Sequence, residues 1–193
     1  MIIEGVLTCD SPSGPHVAAL GPVVDEARTA WLLRPFQSSR VFSCLRANPK
    51  CVFHTIDDAL PIVQLVLGQS PAFTYERSPA GGWLICQACH WFELEITAWD
   101  VTQPRSEAQA RVLAEGDLRP FWGWNRAKHA LLEAAIAISR VHLLSAEELA
   151  LSLERCRAPI EKTCGPREQL AWDLIQSWHA QHTLQAHLNS HSH

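Results

Sequence analysis

Residues 33–42 read LRPFQSSRVF and mark the point where an apolar strand pattern ends and a helical pattern begins. A helix N-terminus carries unpaired backbone N–H groups and the positive end of the helix dipole, so it favours an anion. Ser38 and Ser39 add hydroxyl donors, and the guanidinium groups of Arg34 and Arg40 can each pair with phosphate oxygens. Two interpretations follow from this stretch alone. It is a phosphate-binding turn, or it is an ordinary turn in which a serine caps the helix and the arginines are solvated.

The composition is that of a folded globular protein. Hydrophobic residues make up 47% of the 193 residues and charged residues 19%, which suits one compact domain with at most an appendage. The 16 Lys and Arg against 20 Asp and Glu give a net charge of -4, and no basic run could follow a phosphate backbone. We therefore expect no nucleic-acid partner.

The sequence shows neither a targeting segment nor a membrane helix, and these two features bear on where the protein is located. The start, MIIEGVLTC, has no basic lead-in and is interrupted by Glu4, so it resembles neither a signal peptide nor a transit peptide. The longest apolar stretch, ALPIVQLVLG, is well short of the roughly 20 residues of a membrane helix. We expect a cytoplasmic protein without membrane contact, whose seven cysteines are mostly buried thiols rather than disulfides.

Strand patterns dominate the first 120 residues. The segments IIEGVLTC, HVAALGPVV, TAWLLRP and KCVFHTI have strand character and are separated by turn residues. Two longer candidates follow, GWLICQACHWFELEITAWDV and EAQARVLAEGDLR. Between them and KCVFHTI, the segment DDALPIVQLVLGQ predicts a helix opened by Asp57 or Asp58 with Pro61 in its first turn. A short helix of about three turns is also expected after Ser38.

Helical patterns dominate the rest of the chain. Asn125 is a plausible N-cap, Ser145 and Glu148 form a capping-box pattern, and Pro166 suits the first turn of a third helix. Because strands and helices are segregated along the chain, the sequence predicts an α+β fold. We divide it into a β-rich body at 1–120, a helical segment at 121–180 and a disordered His-rich tail at 181–193.

The stretch CQACH, Cys86 to His90, matches the pattern of covalent haem attachment. That chemistry is expected outside the reducing cytoplasm, and no export signal is present. A zinc site would need further ligands at suitable spacing, which the β-rich body does not offer. We therefore predict no metal site and interpret Cys86 and Cys89 as small buried residues within a strand.

A second cluster lies in WNRAKHALLEAAI, where Lys128, His129 and Glu133 fall near the start of a helix. His129 and Glu133 are one turn apart and could carry proton transfer. An ordinary charged helix face explains the same pattern. Trp122 and Trp124 just before it could stack on a planar ring, or they are large core residues.

Seven motifs, taken in order, resemble an uncharacterised family of flavin-binding split-barrel proteins that is related in fold to the flavin reductases and pyridoxamine-phosphate oxidases. They are MIIEGVLT, HVAALGP, LRPFQSSR, VFHTIDD, ACHWFELEI, NRAKHALLEAAI and EKTCGPRE. The resemblance covers nearly the whole chain up to about Trp178. It implies a six-stranded antiparallel split β-barrel with a C-terminal helical segment, which binds FMN, usually at the interface of a homodimer.

The resemblance also assigns residues to the flavin. The phosphate-binding turn falls on Arg34, Ser38, Ser39 and Arg40. The strand that lines the flavin ring falls on His16, Val17, Ala18, Ala19, Leu20 and Gly21.

The family pattern implies an FMN-dependent oxidoreductase that acts on a small molecule. Two alternatives remain: a non-catalytic FMN-binding carrier, sensor or assembly protein, and a flavin-free scaffold. The second is suggested by Val41, which stands where family members usually have Thr. For the substrate side we name His54, Lys128 and His129 as candidates for proton transfer, with Trp122 and Asn125 as further candidates.

Overall fold

The computed structural model describes residues 1–190, with side chains described as far as Leu184. The chain forms two compact units. The first comprises residues 1–57 and 72–121, and the second comprises 58–71 and the chain from Trp122 onward. The sequence-based boundary at 120 falls next to the last residue of the first unit. The segment 58–71 was not separated from the β-rich body, because its helical pattern does not show which partners it packs on.

The first unit is built mainly of antiparallel strands. In chain order these are β1 (Gly5–Ser11), β2 (Gly14–Leu20), β3 (Val23–Val24), β4 (Ala30–Leu33), β5 (Lys50–Thr55), β6 (Tyr75–Arg77), β7 (Trp83–Ile85), β8 (His90–Asp100) and β9 (Glu107–Asp117). The helix α1 (Arg40–Ala47) connects β4 to β5. Strands β6 and β7 form a small separate hairpin sheet.

The main sheet has seven strands in the order β2-β1-β5-β8-β9-β4-β3. It curls back on itself, because Ile2 forms an antiparallel bridge with Val23 and the amino group of Met1 donates to the Val24 carbonyl at 2.7 Å. The α+β class and the curled antiparallel sheet of the split barrel are thereby confirmed. The expected six strands are seven because β2 ends at Leu20 and the chain resumes as β3 only after Gly21 and Pro22; proline cannot donate to a ladder.

One predicted strand was wrong in its extent. GWLICQACHWFELEITAWDV divides into β7 and β8, because residues 86–89 form a turn in which the Ala88 amide donates to the Ile85 carbonyl at 3.0 Å. Cys86 lies in that turn and His90 begins β8. The two residues therefore do not share the face of one strand. The turn was not predicted, because its residues are mostly apolar.

The core of the sheet is aromatic and contains buried thiols. Trp31 packs against Phe53 and Phe92, with ring centroids 5.4 and 4.7 Å apart. Cys9, Cys44 and other cysteines are buried among apolar side chains, and all seven are free thiols. Among the described residues, no helix is long and apolar enough to cross a bilayer.

The second unit is helical. It contains α2 (Leu60–Val66), α3 (Arg126–Ser139), a 3-10 turn (Val141–Leu143), α4 (Ala146–Thr163) and α5 (Pro166–Ser190). The predicted caps Asn125 and Ser145 are present, and Glu148 completes the capping box. The α2 start is later than predicted: Ala59 is the N-cap, while Asp58 accepts from the Leu60 amide at 3.0 Å.

The predicted His-rich tail overlaps α5. The helix continues to Ser190, ten residues beyond the boundary that the sequence placed at 180. The last three residues of the predicted tail, 191–193, lie outside the described residues.

Candidate functional site

The turn 34–39 joins β4 to the N-terminus of α1, as the strand-to-helix pattern predicts. Ser39 is the N-cap of the helix: its Oγ accepts from the Phe42 amide at 3.2 Å and donates to the Phe36 carbonyl at 2.7 Å. The capping interpretation therefore holds for Ser39. It does not remove the anion site, because the first amides of a helix have no acceptor within the helix. Ser38, one residue earlier, is exposed at the same end.

Arg34 carries an unsatisfied donor. Its Nε is buried and has no hydrogen-bond partner among the described residues. A buried guanidinium N–H that lacks an acceptor is costly, so this atom favours an anionic acceptor beside the turn. The main chain at Arg34 is fixed independently, since the Nε of Arg105 donates to the Arg34 carbonyl at 3.0 Å.

Arg40 reaches across to the β1–β2 hairpin. Its Nη2 lies 3.0 Å from the Ser13 Oγ and 3.4 Å from the Ser11 Oγ. These two serines contact a predicted phosphate ligand, and the sequence analysis did not single them out. Their signal was the turn cluster DSPSG, but nothing in the local pattern indicates a contact with an arginine 27 or 29 residues away.

His16 begins the predicted ring-lining stretch on β2. Partial burial, together with the positive charge of Arg40, lowers the pKa of His16 below its ordinary value. Arg40 itself contacts the hairpin that leads into this strand, through Ser11 and Ser13.

Strand β2 is an edge strand of the main sheet. It pairs on one side with β1, from Gly5 opposite Leu20 to Ser11 opposite Gly14, and all seven of its residues are half-buried. The backbone groups on its other side are available to a ligand or a partner. At Gly21, just after β2, a Cβ would lie 2.8 Å from the Glu4 carboxylate and 2.9 Å from the Ile2 side chain, so close packing against the N-terminal segment favours glycine there.

Val41 faces inward. Its side chain is 5% exposed and belongs to the core cluster of the sheet. A residue at this position packs into the core rather than towards the ligand end of α1. The loss of a hydroxyl at Val41 is therefore a weak argument against phosphate binding.

The proton-transfer candidates divide between the two units. His54 is fully buried in the first unit, with Nδ1 3.2 Å from the Val6 carbonyl and Nε2 accepting from the Ile85 amide at 3.0 Å. Burial lowers the pKa of His54 to about 4. Both ring nitrogens therefore serve the main chain of the core.

The remaining substrate-side candidates belong to the second unit. Asn125 is engaged as a cap, accepting from the Lys128 amide at 3.0 Å and donating to the Thr163 carbonyl at 3.1 Å. Lys128 is half-buried and His129 exposed on α3, and 85% of Trp122 is exposed.

In the CQACH stretch, His90 forms a polar contact with the end of β9. His90 Nδ1 lies 2.7 Å from the Asp117 carboxylate, and Cys89 is buried. Among the described residues, no group of three or more His, Cys, Asp or Glu could hold a metal ion.

An FMN phosphate matches the donor set at the turn. The buried Nε of Arg34 lacks an acceptor, the N-terminus of α1 offers amides, and Arg40 is placed by Ser11 and Ser13. A phosphate monoester is an acceptor with several oxygens and suits such donors. The residues present therefore fit the group.

Comparison with solved structures supports the split-barrel fold. The crystal structure of an FMN-bound protein from Methanosarcina mazei, of the DUF447 family, is similar, with a TM-score of 0.78 and 20% identity over 91% of this chain and 94% of that chain. The styrene monooxygenase flavin reductase of Pseudomonas putida S12 has a TM-score of 0.51 and 17% identity, covering 60% and 81% of the two chains.

A third similar structure is an FMN-binding protein from Thermus thermophilus with bound 1-cyclohex-2-enone. Its TM-score is 0.51 and its identity 10%, over 60% of this chain and 70% of that one. No curated protein matches this chain.

The family models cover most of the chain. The N-terminal domain model of the protein of unknown function DUF447 matches residues 3–118, and the second DUF447 model matches residues 125–177. These two ranges contain every motif on which the flavin split-barrel resemblance rests, except the first residues of MIIEGVLT. The resemblance is confirmed, and the chain belongs to the DUF447 family.

Proposed function

We propose that this chain binds FMN at the turn 34–40 and strand β2, and that it is an oxidoreductase acting on a small molecule. The observation that carries the proposal is the buried Arg34 Nε, which has no acceptor among the described residues, in the turn that leads from β4 to the N-terminus of α1. The FMN bound in the similar Methanosarcina mazei protein supports the choice of FMN as the ligand.

Each part of the ligand has a proposed set of residues. Arg34, Ser38, Arg40 and the first amides of α1 hold the phosphate, while Ser39 fixes the turn as its cap. The outer backbone edge of His16–Gly21 hydrogen-bonds the polar rim of the ring, and its half-buried side chains contact the ring face. When bound, FMN supplies the hydride or electron transfer, and the protein orients it and restricts its exposure to water.

We further propose a homodimer with FMN at its interface. The support is the unpaired edge of β2, whose half-buried residues include Val17, Ala18, Ala19 and Leu20. An apolar edge strand of this length is normally covered in a stable protein. The free thiols are in keeping with the cytoplasmic location that forms part of this proposal.

The binding test compares Arg34, in the turn before α1, with Arg46, at the far end of the same helix. Arg34→Ala removes a charge-assisted contact worth roughly 1.5 to 3 kcal/mol, so FMN affinity should fall about ten- to a hundredfold. Arg46→Ala, in the last turn of α1, is the matched control and should leave the affinity unchanged. Flavin fluorescence quenching measures both. Equal affinities for the two variants would refute the placement of the phosphate.

A non-catalytic flavin carrier is the second candidate, and one observation favours it. Both ring nitrogens of His54, the proton-transfer candidate in the first unit, are held by main-chain groups. Anaerobic mixing of the FMN-loaded protein with NADH or NADPH separates the two functions. Bleaching of the flavin absorbance with turnover supports the oxidoreductase; FMN binding without reduction by any donor tested supports the carrier.

A further inference from the structure

A cavity of about 470 Å³ lies between α3 and α4 in the second unit. All of its lining residues belong to the second unit, whereas the proposed flavin residues belong to the first. Its volume is in the range of about 300 to 1,000 Å³ that is typical of small-molecule sites. Two of its lining residues, His129 and Glu133, come from the polar motif that the proposed function leaves without a role.

The walls combine an apolar floor with charged side chains. Ile136, Ala137 and Leu144 line the cavity and are half-buried. Arg140 and Arg155 line it from α3 and α4 respectively, and both are exposed. The floor would accommodate an apolar body, and the arginines would accommodate a charged end.

The two guanidinium groups are available for a ligand. Within the part of the chain that the structure describes, neither Arg140 nor Arg155 forms an ion pair. Arg157, two residues further along α4, is by contrast paired with Glu154 at 2.9 Å and with Glu161 at 3.9 Å.

The helix geometry places the two arginines near each other. The start of α3 lies beside the end of α4, because the Ala127 amide donates to the Thr163 Oγ1 at 3.0 Å. With a rise of about 1.5 Å per residue in antiparallel helices, Arg140 and Arg155 are about 8 Å apart along the axis. Two long side chains can converge on one carboxylate over that distance.

The charges of the lining residues define the ligand further. Among the Arg and Glu residues that line the cavity, Arg140 and Arg155 carry two positive charges and Glu133 carries one negative charge. The cavity therefore has an excess of one positive charge, which a monoanion balances. We propose that the cavity between α3 and α4 binds a small organic monocarboxylate. Its carboxylate lies between Arg140 and Arg155, and its apolar body lies on Ile136 and Ala137.

The test uses 1-naphthoate as the probe and 1-naphthamide as its neutral counterpart. Calorimetric titration of the full chain, with and without saturating FMN, is expected to show one naphthoate site in both conditions. Losing two charge-assisted contacts should weaken naphthoate binding by at least about tenfold in the double variant Arg140→Gln/Arg155→Gln. The matched control Arg157→Gln should bind like the unaltered chain, and the naphthamide should bind at least about tenfold more weakly than naphthoate.

Three results would overturn the proposal. The first is equal affinity of the double variant and the Arg157→Gln control, with circular dichroism showing that both are folded. The second is binding of the naphthamide as tight as that of naphthoate, or no saturable binding at millimolar probe. The third is a homodimer in sedimentation velocity that is lost only in the double variant, because the cavity would then be occupied by a second copy of the chain.

Discussion

His54 shows how a residue that is typical of catalytic sites can serve the core. Its ring accepts from the Ile85 amide and lies against the Val6 carbonyl, so it links β5 to two neighbouring segments. The sequence cannot distinguish this from a catalytic histidine, because both require a His at the end of an apolar strand. The difference lies in contacts to residues 31 and 48 positions away.

The depressed pKa of His54 makes a prediction about stability. Its pKa is about 4 in the folded protein and about 6.5 when unfolded, so the unfolded chain binds more protons as the pH falls. The free energy of unfolding should therefore be fully retained above pH 7 and decrease between pH 6.5 and 4, by up to about 3 kcal/mol from this residue.

His54→Gln tests this assignment, since an amide side chain offers both a donor and an acceptor without titrating. Urea unfolding across pH 4 to 7 should show a flatter pH dependence for this variant. The exposed His129→Gln should retain the slope of the unaltered chain. Identical slopes for all three proteins would contradict the assignment.

At the scale of elements, the turn between β4 and α1 is held by the loop between β8 and β9. The Gln37 side chain donates to the Val101 and Gln103 carbonyls at 2.9 and 2.7 Å, and the Gln37 amide donates to the Pro104 carbonyl at 2.9 Å. Gln37→Ala removes two neutral hydrogen bonds worth about 1 kcal/mol each, part of which appears as looser positioning of the turn.

We therefore expect Gln37→Ala to weaken FMN binding about three- to tenfold and to accelerate amide exchange in residues 35–40. Gln87→Ala is the control, because Gln87 also makes side-chain bonds, to the amide and hydroxyl of Thr74, but in a different loop. If Gln37→Ala binds FMN as the control does, the loop has no part in positioning the turn.

Local sequence patterns predicted where helices begin better than they predicted which segments pack together. Ser39, Asn125 and the pair Ser145–Glu148 act within three residues of themselves, so the sequence contains their signal. The order of strands in the sheet and the contact of Arg40 with Ser13 depend on chain segments far apart in sequence. The resemblance to a known family supplied the barrel architecture, and nothing in the sequence predicted the contact with Ser13.

Segments of the two units alternate along the chain. The helix α2 interrupts the first unit in sequence and belongs to the second, where Asp58 pairs with Arg167 at the start of α5. Ile62 and Val63 on α2 are buried, and α2 packs against α3 and α5. A cut at the apparent boundary after Phe121 would therefore remove the partners of α2.

A fragment of residues 1–121 is accordingly expected to aggregate, because α2 would expose its apolar face to water. Replacing 58–71 in that fragment by a Gly-Ser linker of equal length removes this face at the small entropic cost of an open loop. The linker fragment should remain monodisperse or dimeric in sedimentation velocity and should show the circular dichroism of a β-sheet, whereas the simple truncation should sediment as large aggregates. If the simple truncation is as monodisperse as the linker fragment, α2 is stable without α3 and α5.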